Sequence, residues 1–385
     1  MAGFLPTITI VMKKVLLILF LLPFWGCSKE KSAEQIFDAQ ASGVVMILNE
    51  YYYSVSLAGG NTFYFSDIIE GKMQNLVFNP QMVQTTYSFG TGFFIDDRGG
   101  ILTNRHVVNH YVKKSEVLPY VQKLISAMVG YAQERQREAI YEADKIYSLL
   151  KQNYIIDSQG DIYRGPSATQ YSNALKRRLQ ELSNDYNEAQ RYISELKRIS
   201  VSDVVIRCHS KIGIAYNNSY VTGPQDFKPC VVERESANEE VDLALIRLAD
   251  EATPEGAYIF KTSPAAKRSL FSKGNESLTL DQQLYLIGYN RGIALASTSE
   301  GIRAQLTSGR ISQKPDNYRV MYTIPILPGS SGSPVVNSYG ELVAVNFAAV
   351  SGTQSFNFGI PLAQVQAFMS GTMAPSQTEH YSKNI

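Results

Sequence analysis

The feature that most constrains the fold of this 385-residue chain is a change in the spacing of its apolar residues. Near the start and again from Val201 onward, apolar and polar residues alternate in short segments separated by turn residues, which is typical of β-strands. Between about 115 and 199 the spacing becomes helical. The sequence therefore predicts a mainly β fold with a helical insertion. The β-type segments are VVMI (44–47), YYYSVSL (51–57), GTGFFIDDRGGILTNRHVV (90–108), VVIRC, IGIAY, CVVER, LALIRL, LYLIGY, RAQLTSGRIS, YRVMYTIPI, SPVVN and ELVAVNFAA.

The insertion carries two heptad-like apolar stripes separated by QGDIYRGP (159–166), whose Gly and Pro residues end both helices. An isolated helix would leave such a stripe exposed, so we predict an antiparallel helical hairpin over residues 111–200. The alternative is an arm that binds a partner or another copy of the chain. The stripes consist of Val121, Leu124, Met128, Ala139, Ala143, Ile146 and Leu150, and of Leu175, Leu179, Leu182, Tyr186, Ala189, Ile193 and Leu196.

Charge and composition narrow the range of partners. Lys and Arg total 36 against 35 for Asp and Glu, so no net field favours nucleic acid or an anionic bilayer. The hydrophobic content of 44% supplies enough apolar material for one or two cores. Partners must therefore be inferred from the site itself.

The N-terminus has the pattern of an export signal. Lys13 and Lys14 precede the apolar run Val15 to Trp25, and a small residue, Gly26, precedes Cys27. The Gly26–Cys27 junction resembles a bacterial lipobox, which predicts a lipid on Cys27 and a location in the cell envelope, periplasmic or held at a membrane. Ordinary secretion with an unmodified thiol is the alternative. We expect residues 1–27 to be a signal peptide and residues 28–385 to be the mature domain.

Two further cysteines, Cys208 and Cys230, flank a segment that reads as a hairpin. In an oxidising compartment they could form a disulfide, and the alternative is a pair of buried thiols. The chain has no CxxC motif or Cys/His cluster, so we expect no metal site.

A glycine-rich loop, LPGSSGSPVV (327–336), is the strongest candidate for a catalytic segment. Its glycines permit backbone angles at which successive N–H groups converge. Ser331 is then the candidate nucleophile, with the N–H groups of Gly329 and Ser331 as the oxyanion hole. The alternative is an ordinary Gly/Ser surface loop.

A serine nucleophile needs a base and a carboxylate that orients the base. His106 follows an apolar strand in ILTNRHVV (101–108), and His110 is the less favoured candidate. Asp242 interrupts the apolar segment EVDLALIRL (240–248), where a carboxylate needs a hydrogen-bonding partner. The alternative is an Asp in a turn at the end of a strand.

In order, GTGFFIDDRGGILTNRHVV, VDLALIRL, LIGYNRG, LTSGRIS, PGSSGSPVVNSYGELVAVNFA and FNFGIPLAQV resemble the motifs of trypsin-like proteases of the HtrA/Deg class. The resemblance covers about 90–110 and 201–366. It implies two six-stranded β-barrels of the trypsin-like type, with His106 and Asp242 from the first barrel and Ser331 from the second. It places the helical hairpin inside the first barrel.

The sequence departs from that class at two points. The segment after FNFGIPLAQV is short, so we expect no PDZ domain and infer no peptide-gated activation. The serine loop reads GSSGSP where the class usually has GNSGGP, and Ser333 at this position resembles glutamyl endopeptidases. The resemblance also implies a specificity pocket near Thr323, Leu327, Val345 and Phe347. None of these residues is charged, so we predict a preference for apolar substrate side chains.

These observations predict a serine endopeptidase that acts on protein or peptide substrates of the envelope and needs no cofactor, because nucleophile, base and oxyanion donors all come from the chain. Two alternatives remain. One is a scaffold that keeps the protease fold and works through the helical arm, and the other is an enzyme that is latent until triggered.

Overall fold

The computed structural model describes residues 29–58, 60–152, 155–156, 159, 162–163, 166–200, 203–238, 240–263, 278–349 and 356–372. The predicted signal peptide (1–27) and the candidate lipidation site Cys27 lie outside the described residues. Among the described residues, no helix is both long and apolar enough to cross a membrane.

The helices in the described ranges are α1 (Ala33–Gln40), α2 (Arg105–Val108), α3 (Lys114–Gln152), α4 (Pro166–Arg198), α5 (Ile293–Ala296) and α6 (Leu362–Ser370). The strands are β1 (Val44–Ser56), β2 (Thr62–Phe65), β3 (Asp67–Ile69), β4 (Lys72–Gln74), β5 (Thr86–Phe94), β6 (Gly100–Thr103), β7 (Ile155–Ile156), β8 (Ile162–Tyr163), β9 (Val205–Tyr216), β10 (Lys228–Glu235), β11 (Ala244–Leu248), β12 (Gln283–Gly288), β13 (Ser297–Thr298), β14 (Gly301–Ile302), β15 (Gln305–Arg310), β16 (Val320–Tyr322), β17 (Pro334–Asn337), β18 (Leu342–Ala349) and β19 (Asn357–Pro361).

The first sheet closes into a six-stranded barrel. Its order is β2-β1-β5-β6-β11-β10-β9, and an additional pairing of β1 with β9 closes the ring of six while β2 extends β1. The predicted hairpin turn between β5 and β6 is present, and the Asp96 carboxylate accepts the N–H groups of Arg98 (2.9 Å) and Gly100 (2.8 Å) within it. The predicted first barrel is confirmed.

The second sheet contains six strands in the order β15-β12-β17-β18-β19-β16. It curls so that its two outer strands approach each other at an isolated bridge between Ile311 and Tyr322. The six strands expected for the second barrel are therefore present, as a curled half-barrel. Buried side chains such as Leu284, Val335 and Ala344 form an apolar cluster within this sheet.

The chain divides into two compact units. The first comprises residues 1–48, 89–107 and 213–385, and it contains all three candidate catalytic residues. The second comprises residues 49–88 and 108–212, including the helical insertion. A core cluster in the first unit includes fully buried Phe93, Leu102 and Ile287, and a cluster in the second includes Tyr53, Phe65 and Val117.

Helices α3 and α4 form the antiparallel hairpin that the apolar stripes predict. Gln136 near the middle of α3 bonds to Gln190 at 2.9 Å, and Glu142, further along α3, bonds to Arg178, which lies earlier in α4, also at 2.9 Å. Tyr186 is the exception in the predicted stripe, because its side chain is exposed. The seam contains buried Ala139, Ile146 and Leu182, flanked by Ala143, Leu150, Leu175 and Leu179.

No disulfide joins Cys208 and Cys230, so of the two alternatives that the sequence left open the structure has the pair of thiols, both partly buried. Each thiol contacts a residue two positions away in its own strand: Cys208 Sγ lies 3.5 Å from Ser210 Oγ, and Cys230 Sγ lies 3.8 Å from the Lys228 carbonyl oxygen. Burial, followed by the charge of Asp250, raises the pKa of the Cys230 thiol to about 12.

Candidate active site

His106 and Asp242 are brought together by the pairing of β6 with β11. The antiparallel register places Thr103 opposite Ala244. Extending this register by two residues sets Asp242 beside the start of α2, which carries His106. Two segments 136 residues apart in sequence therefore meet at the end of a buried pair of strands.

Asp242 holds the His106 ring in one orientation. The backbone N–H of His106 donates to Asp242 Oδ1 over 3.0 Å, and ring atom Nδ1 forms a short hydrogen bond with Oδ2. The amide of buried Asn104 donates to the Asp242 carbonyl oxygen at 2.8 Å, which fixes the backbone of the acid. With its proton on Nδ1, the ring presents Nε2 as a proton acceptor, which is the tautomer that a general base requires.

Electrostatics keep Asp242 ionised. Burial alone would raise its pKa, but the hydrogen bonds and charge of His106, together with the charge of Arg105, outweigh burial and hold the pKa of Asp242 below its usual value. The His106 side chain is 47% exposed, against 18% for Asp242. The His106 ring is therefore accessible to a substrate, while Asp242 is largely shielded from water.

The loop of residues 327–333 contains three serines in different environments. Ser330 is buried, and its hydroxyl donates to the Leu327 carbonyl at 2.8 Å. Ser333 is fully buried against Gly288, and its hydroxyl has no hydrogen-bond partner among the described residues. Only Ser331 is partly exposed, so the geometry favours it over its neighbours as a nucleophile.

The N–H groups of Gly329 and Ser331 donate to no acceptor among the described residues, whereas the loop's other N–H groups are all used. Unused backbone donors in a buried loop are rare, since most buried N–H groups are paired. The N–H groups that are used are Leu327 to Asn290 Oδ1 (2.9 Å), Ser330 to the Leu327 carbonyl (3.0 Å), Gly332 to the Asn346 carbonyl (2.8 Å) and Ser333 to the Ser330 carbonyl (3.1 Å).

The directions of these two N–H groups are set by the carbonyls that share their peptide planes. In a trans peptide the C=O of one residue and the N–H of the next point in opposite directions. The Pro328 carbonyl accepts from Arg291 N at 2.6 Å, which turns the Gly329 N–H the other way. The Ser330 carbonyl accepts from Asn346 Nδ2 at 2.9 Å, which turns the Ser331 N–H away from Asn346.

Thr91 anchors the loop from β5. Its hydroxyl donates to the Gly329 carbonyl at 2.8 Å and accepts from Tyr289 N at 3.0 Å. Its backbone N–H donates to the Ser331 carbonyl at 2.8 Å, and its own carbonyl accepts from the Thr103 hydroxyl at 2.7 Å. One buried threonine thus connects the serine loop to the strand that leads to His106.

Among the described residues, no hydrogen bond joins the Ser331 hydroxyl to the His106 ring. The structure therefore brings His106 to Asp242, and it joins Ser331 to the same unit through Thr91, without a direct contact between base and nucleophile. Such contacts are often long in enzymes without substrate and tighten on binding.

The four residues expected to line a specificity pocket differ in position. Val345 is fully buried in the main core cluster, so it has no surface for a substrate side chain, and its assignment was wrong. Thr323 is exposed, Leu327 is half-buried, and the half-buried Phe347 ring lies 6.4 Å from that of Phe358. An apolar residue in a core strand looks the same in sequence whichever way its side chain points.

Sequence reasoning did not identify Thr91 or Asn346 as part of the site. Asn346 did leave a signal, because an amide inside the apolar segment ELVAVNFAA needs buried partners. Thr91 left none, since a threonine is ordinary in a β-strand.

The closed six-stranded barrel and the second curled sheet of six strands form a mainly β fold of the trypsin-like type. In agreement, residues 204–345 match the family model of the trypsin-like peptidase domain. The match begins just after α4 and includes Asp242 and Ser331 but not His106. The expected resemblance to trypsin-like peptidases is confirmed over these residues.

Among solved structures, the chain is similar to the serine endoprotease from Yersinia pestis. The identity is 14% and the TM-score 0.41, over 89% of this chain and 67% of that one. A similarity at this level does not define a shared activity. No curated protein matches the sequence.

Proposed function

We propose that this protein is a serine endopeptidase with His106, Asp242 and Ser331 as its catalytic triad. The observation that carries the proposal is the serine loop, in which the N–H groups of Gly329 and Ser331 have no acceptor among the described residues, and Ser331 is the loop's one partly exposed serine. The His106–Asp242 pair supports it, because a ring held with Nε2 as the acceptor is a ready general base.

The proposed reaction uses groups of the chain alone. Ser331 Oγ attacks the scissile carbonyl carbon while His106 Nε2 takes the hydroxyl proton. The N–H groups of Gly329 and Ser331 stabilise the oxyanion of the tetrahedral intermediate. His106 then donates its proton to the leaving amine, which leaves an acyl group on Ser331, and a water molecule activated by His106 hydrolyses that ester. Asp242 stays ionised and stabilises the imidazolium throughout.

The substrate is proposed to be a protein or peptide with an apolar side chain next to the scissile bond. With Val345 excluded, Thr323, Leu327 and Phe347 remain as candidate pocket residues, and none of them is charged. Cleavage of a peptide library varied at that position tests this preference. A strong selection for Lys, Arg or Glu would contradict it.

The proposed setting is the bacterial cell envelope. It rests on the export signal in residues 1–27 and on the lipobox-like Gly26–Cys27 junction. Mass spectrometry of the protein recovered from bacterial membranes would show a diacylglyceryl group on an N-terminal Cys27. An unmodified Cys27 in a soluble, secreted form would contradict the lipid anchor.

The proposed activity is tested by digestion of a fluorescently labelled unfolded protein, such as casein. The wild type should release peptides, and Ser331→Ala, His106→Ala and Asp242→Asn should each lower the rate at least about 1000-fold. Ser333→Ala is the matched control and should digest normally. Equal digestion by the wild type and Ser331→Ala would remove Ser331 from the mechanism.

A catalytically latent scaffold that acts through the helical hairpin is the second candidate. The observation that favours it is the exposure of Tyr131, Tyr141 and Tyr147 along α3, since aromatic side chains are enriched at protein interfaces. A folded wild-type protein that does not digest the labelled casein would favour this candidate.

A further inference from the structure

We propose that Asn346 positions the oxyanion hole, by holding the peptide between Ser330 and Ser331 in the orientation that aims the Ser331 N–H at a substrate. This inference rests on the proposed serine-protease function and adds a residue that acts through the loop without touching the substrate. Asn346 lies in β18 and is fully buried, so its amide must find its partners inside the protein.

The first step of the argument is the contact itself. Asn346 Nδ2 donates to the Ser330 carbonyl at 2.9 Å and lies 3.3 Å from the Ser330 hydroxyl. Because the carbonyl and the following N–H lie at opposite ends of one planar peptide, fixing the Ser330 carbonyl fixes the Ser331 N–H. A rotation of this peptide would turn the donor away from the oxyanion.

The second step is that the backbone of Asn346 is fixed to the same loop. Its carbonyl accepts from Gly332 N at 2.8 Å, and its N–H donates to the Ser333 carbonyl at 2.9 Å. The loop residues in these two contacts follow closely after Ser330, which the side chain contacts. The amide therefore cannot shift along β18 without breaking the pairing of strand and loop.

The third step is that Tyr322 holds the oxygen end of the Asn346 amide, while the nitrogen end faces the loop. The Tyr322 hydroxyl donates to Asn346 Oδ1 at 2.8 Å. Since the Ser330 carbonyl can only accept, the amide nitrogen must face it, and the amide oxygen must face Tyr322. Tyr322 is fully buried, and burial raises the pKa of its hydroxyl well above the usual value, so the group stays a donor.

The two oxyanion donors thus differ in how they are held. The Pro328 carbonyl, which sets the Gly329 N–H, accepts from the backbone N–H of Arg291. The Ser330 carbonyl, which sets the Ser331 N–H, accepts from the Asn346 side chain at 2.9 Å in addition to the backbone N–H of Ser333 at 3.1 Å. A side-chain substitution can therefore loosen the second donor and leave the first in place.

The test measures the rate at which a fluorophosphonate probe phosphonylates Ser331, separated into a maximal rate and a probe affinity. Asn346→Leu keeps the branched shape of the side chain and removes the amide. We expect its maximal rate to fall about 100-fold, as for the loss of one oxyanion donor, with the affinity for the probe changed less than about 3-fold. The final fraction of labelled protein should still approach that of the wild type.

Tyr322→Phe disturbs the Asn346 amide more mildly. If Asn346→Leu does not fold, this variant tests the positioning role instead. It removes one hydrogen bond to the amide and should slow labelling about 5-fold. In the Asn346→Leu background it should add no further loss, because both changes act through one amide.

Asn357→Leu is the matched control for destabilisation. Asn357 is equally buried in the neighbouring strand β19, and its amide donates to the Ile324 carbonyl at 2.6 Å, a group outside the serine loop of residues 327–333. This variant should melt at a lower temperature, like Asn346→Leu, yet label within about 3-fold of the wild-type maximal rate.

The outcomes separate the inference from the function on which it rests. If the wild type labels at Ser331 and both Asn346→Leu and Tyr322→Phe label at the wild-type rate, the positioning role is wrong while the protease function stands. If Asn357→Leu slows as much as Asn346→Leu, the effect is general destabilisation and the inference also fails. If the folded wild type does not label at all, the protease function fails first and the inference fails with it.

Discussion

The serine loop, residues 327–333, and the helical hairpin of α3 and α4 are held by different kinds of contact. In the loop, backbone groups bond to residues distant in sequence, such as Thr91 and Asn346. In the hairpin, a periodic apolar stripe packs on a second stripe. The loop is therefore fixed in direction by hydrogen bonds, whereas the hairpin is fixed by non-directional apolar burial.

This difference explains which properties each region can support. The proposed catalysis needs donors held in a set direction, and of the two regions the loop supplies them. The hairpin can vary in side-chain detail as long as its seam stays apolar. Substitutions in the loop should therefore change activity more than stability, and substitutions in the hairpin should do the reverse.

The largest effect is expected for Gly332→Ala in the loop. Gly332 has φ +84°, and an added Cβ would lie 2.1 Å from the Thr91 carbonyl oxygen and 2.4 Å from the Thr103 hydroxyl. The loop must move to accommodate the methyl group, so we expect fluorophosphonate labelling to slow at least about 100-fold.

The control for this variant is Gly371→Ala. Gly371 has a similar φ of +71°, but an added Cβ there meets nothing within 4 Å. It should cost only backbone strain, about 1 kcal/mol of unfolding free energy, and leave labelling unchanged. Equal behaviour of the two variants would mean that backbone strain, and not the close contact, matters.

The second-largest effect, on stability, is expected for Leu182→Ala in the hairpin. Leu182 is buried in the seam, and removing its side chain should lower the free energy of unfolding by about 2–4 kcal/mol in denaturant titration. Labelling of the folded protein should stay within about 2-fold of the wild type. Leu149→Ala is the control, because Leu149 is exposed and its loss should change stability by less than about 0.5 kcal/mol. Loss of labelling in a folded Leu182→Ala protein would break the contrast between the two regions.

A smaller effect that depends on pH is expected for Asp96→Asn in the turn between β5 and β6. Burial pushes the pKa of Asp96 upward, but the N–H groups of Gly100 and Arg98 and the guanidinium of Arg247 outweigh it and lower the pKa below its usual value. The ionised form is therefore favoured in the folded state, and its stabilisation is present at neutral pH.

Asparagine can still accept the two N–H groups but loses the ion pair with Arg247, so we expect a loss of about 1 kcal/mol at pH 7. Because the folded pKa is the lowered one, the difference between wild type and variant should begin to shrink as the pH falls below about 4 and should be lost once the pH is below the lowered pKa of the folded state. Melting curves from pH 3 to 8 measure this. A difference that persists unchanged at pH 3 would contradict an ionic contribution.

The smallest effect is expected for Ser333→Ala. The Ser333 hydroxyl is buried without a partner among the described residues, so removing it should leave the unfolding free energy unchanged or raise it by about 1 kcal/mol. Ser330→Ala is the matched variant and should lose about 1 kcal/mol, because its hydroxyl donates to the Leu327 carbonyl. If Ser333→Ala is the more damaging of the two, the assignment of contacts in the loop is wrong.

Local patterns in the sequence predicted much of the fold. Alternation predicted the strands around Leu102 and Leu245, and heptad spacing predicted the seam around Ile146 and Leu182. What could not be predicted depends on where a side chain points or on contacts between distant strands. Val345 is buried in the core although it lies beside the candidate pocket in sequence, and Thr91 meets Gly329 across 238 positions. The hydrogen-bond partners of Asn346 likewise could not be identified from the sequence.

The central claim is that Ser331 is an activated nucleophile, and the most direct measurement is fluorophosphonate labelling of the purified protein followed by peptide mapping of the adduct. The account predicts a single phosphonylated residue, Ser331, with labelling lost in Ser331→Ala, strongly reduced in His106→Ala and retained in Ser333→Ala. No adduct on folded wild-type protein, or an adduct on a different serine, would contradict it.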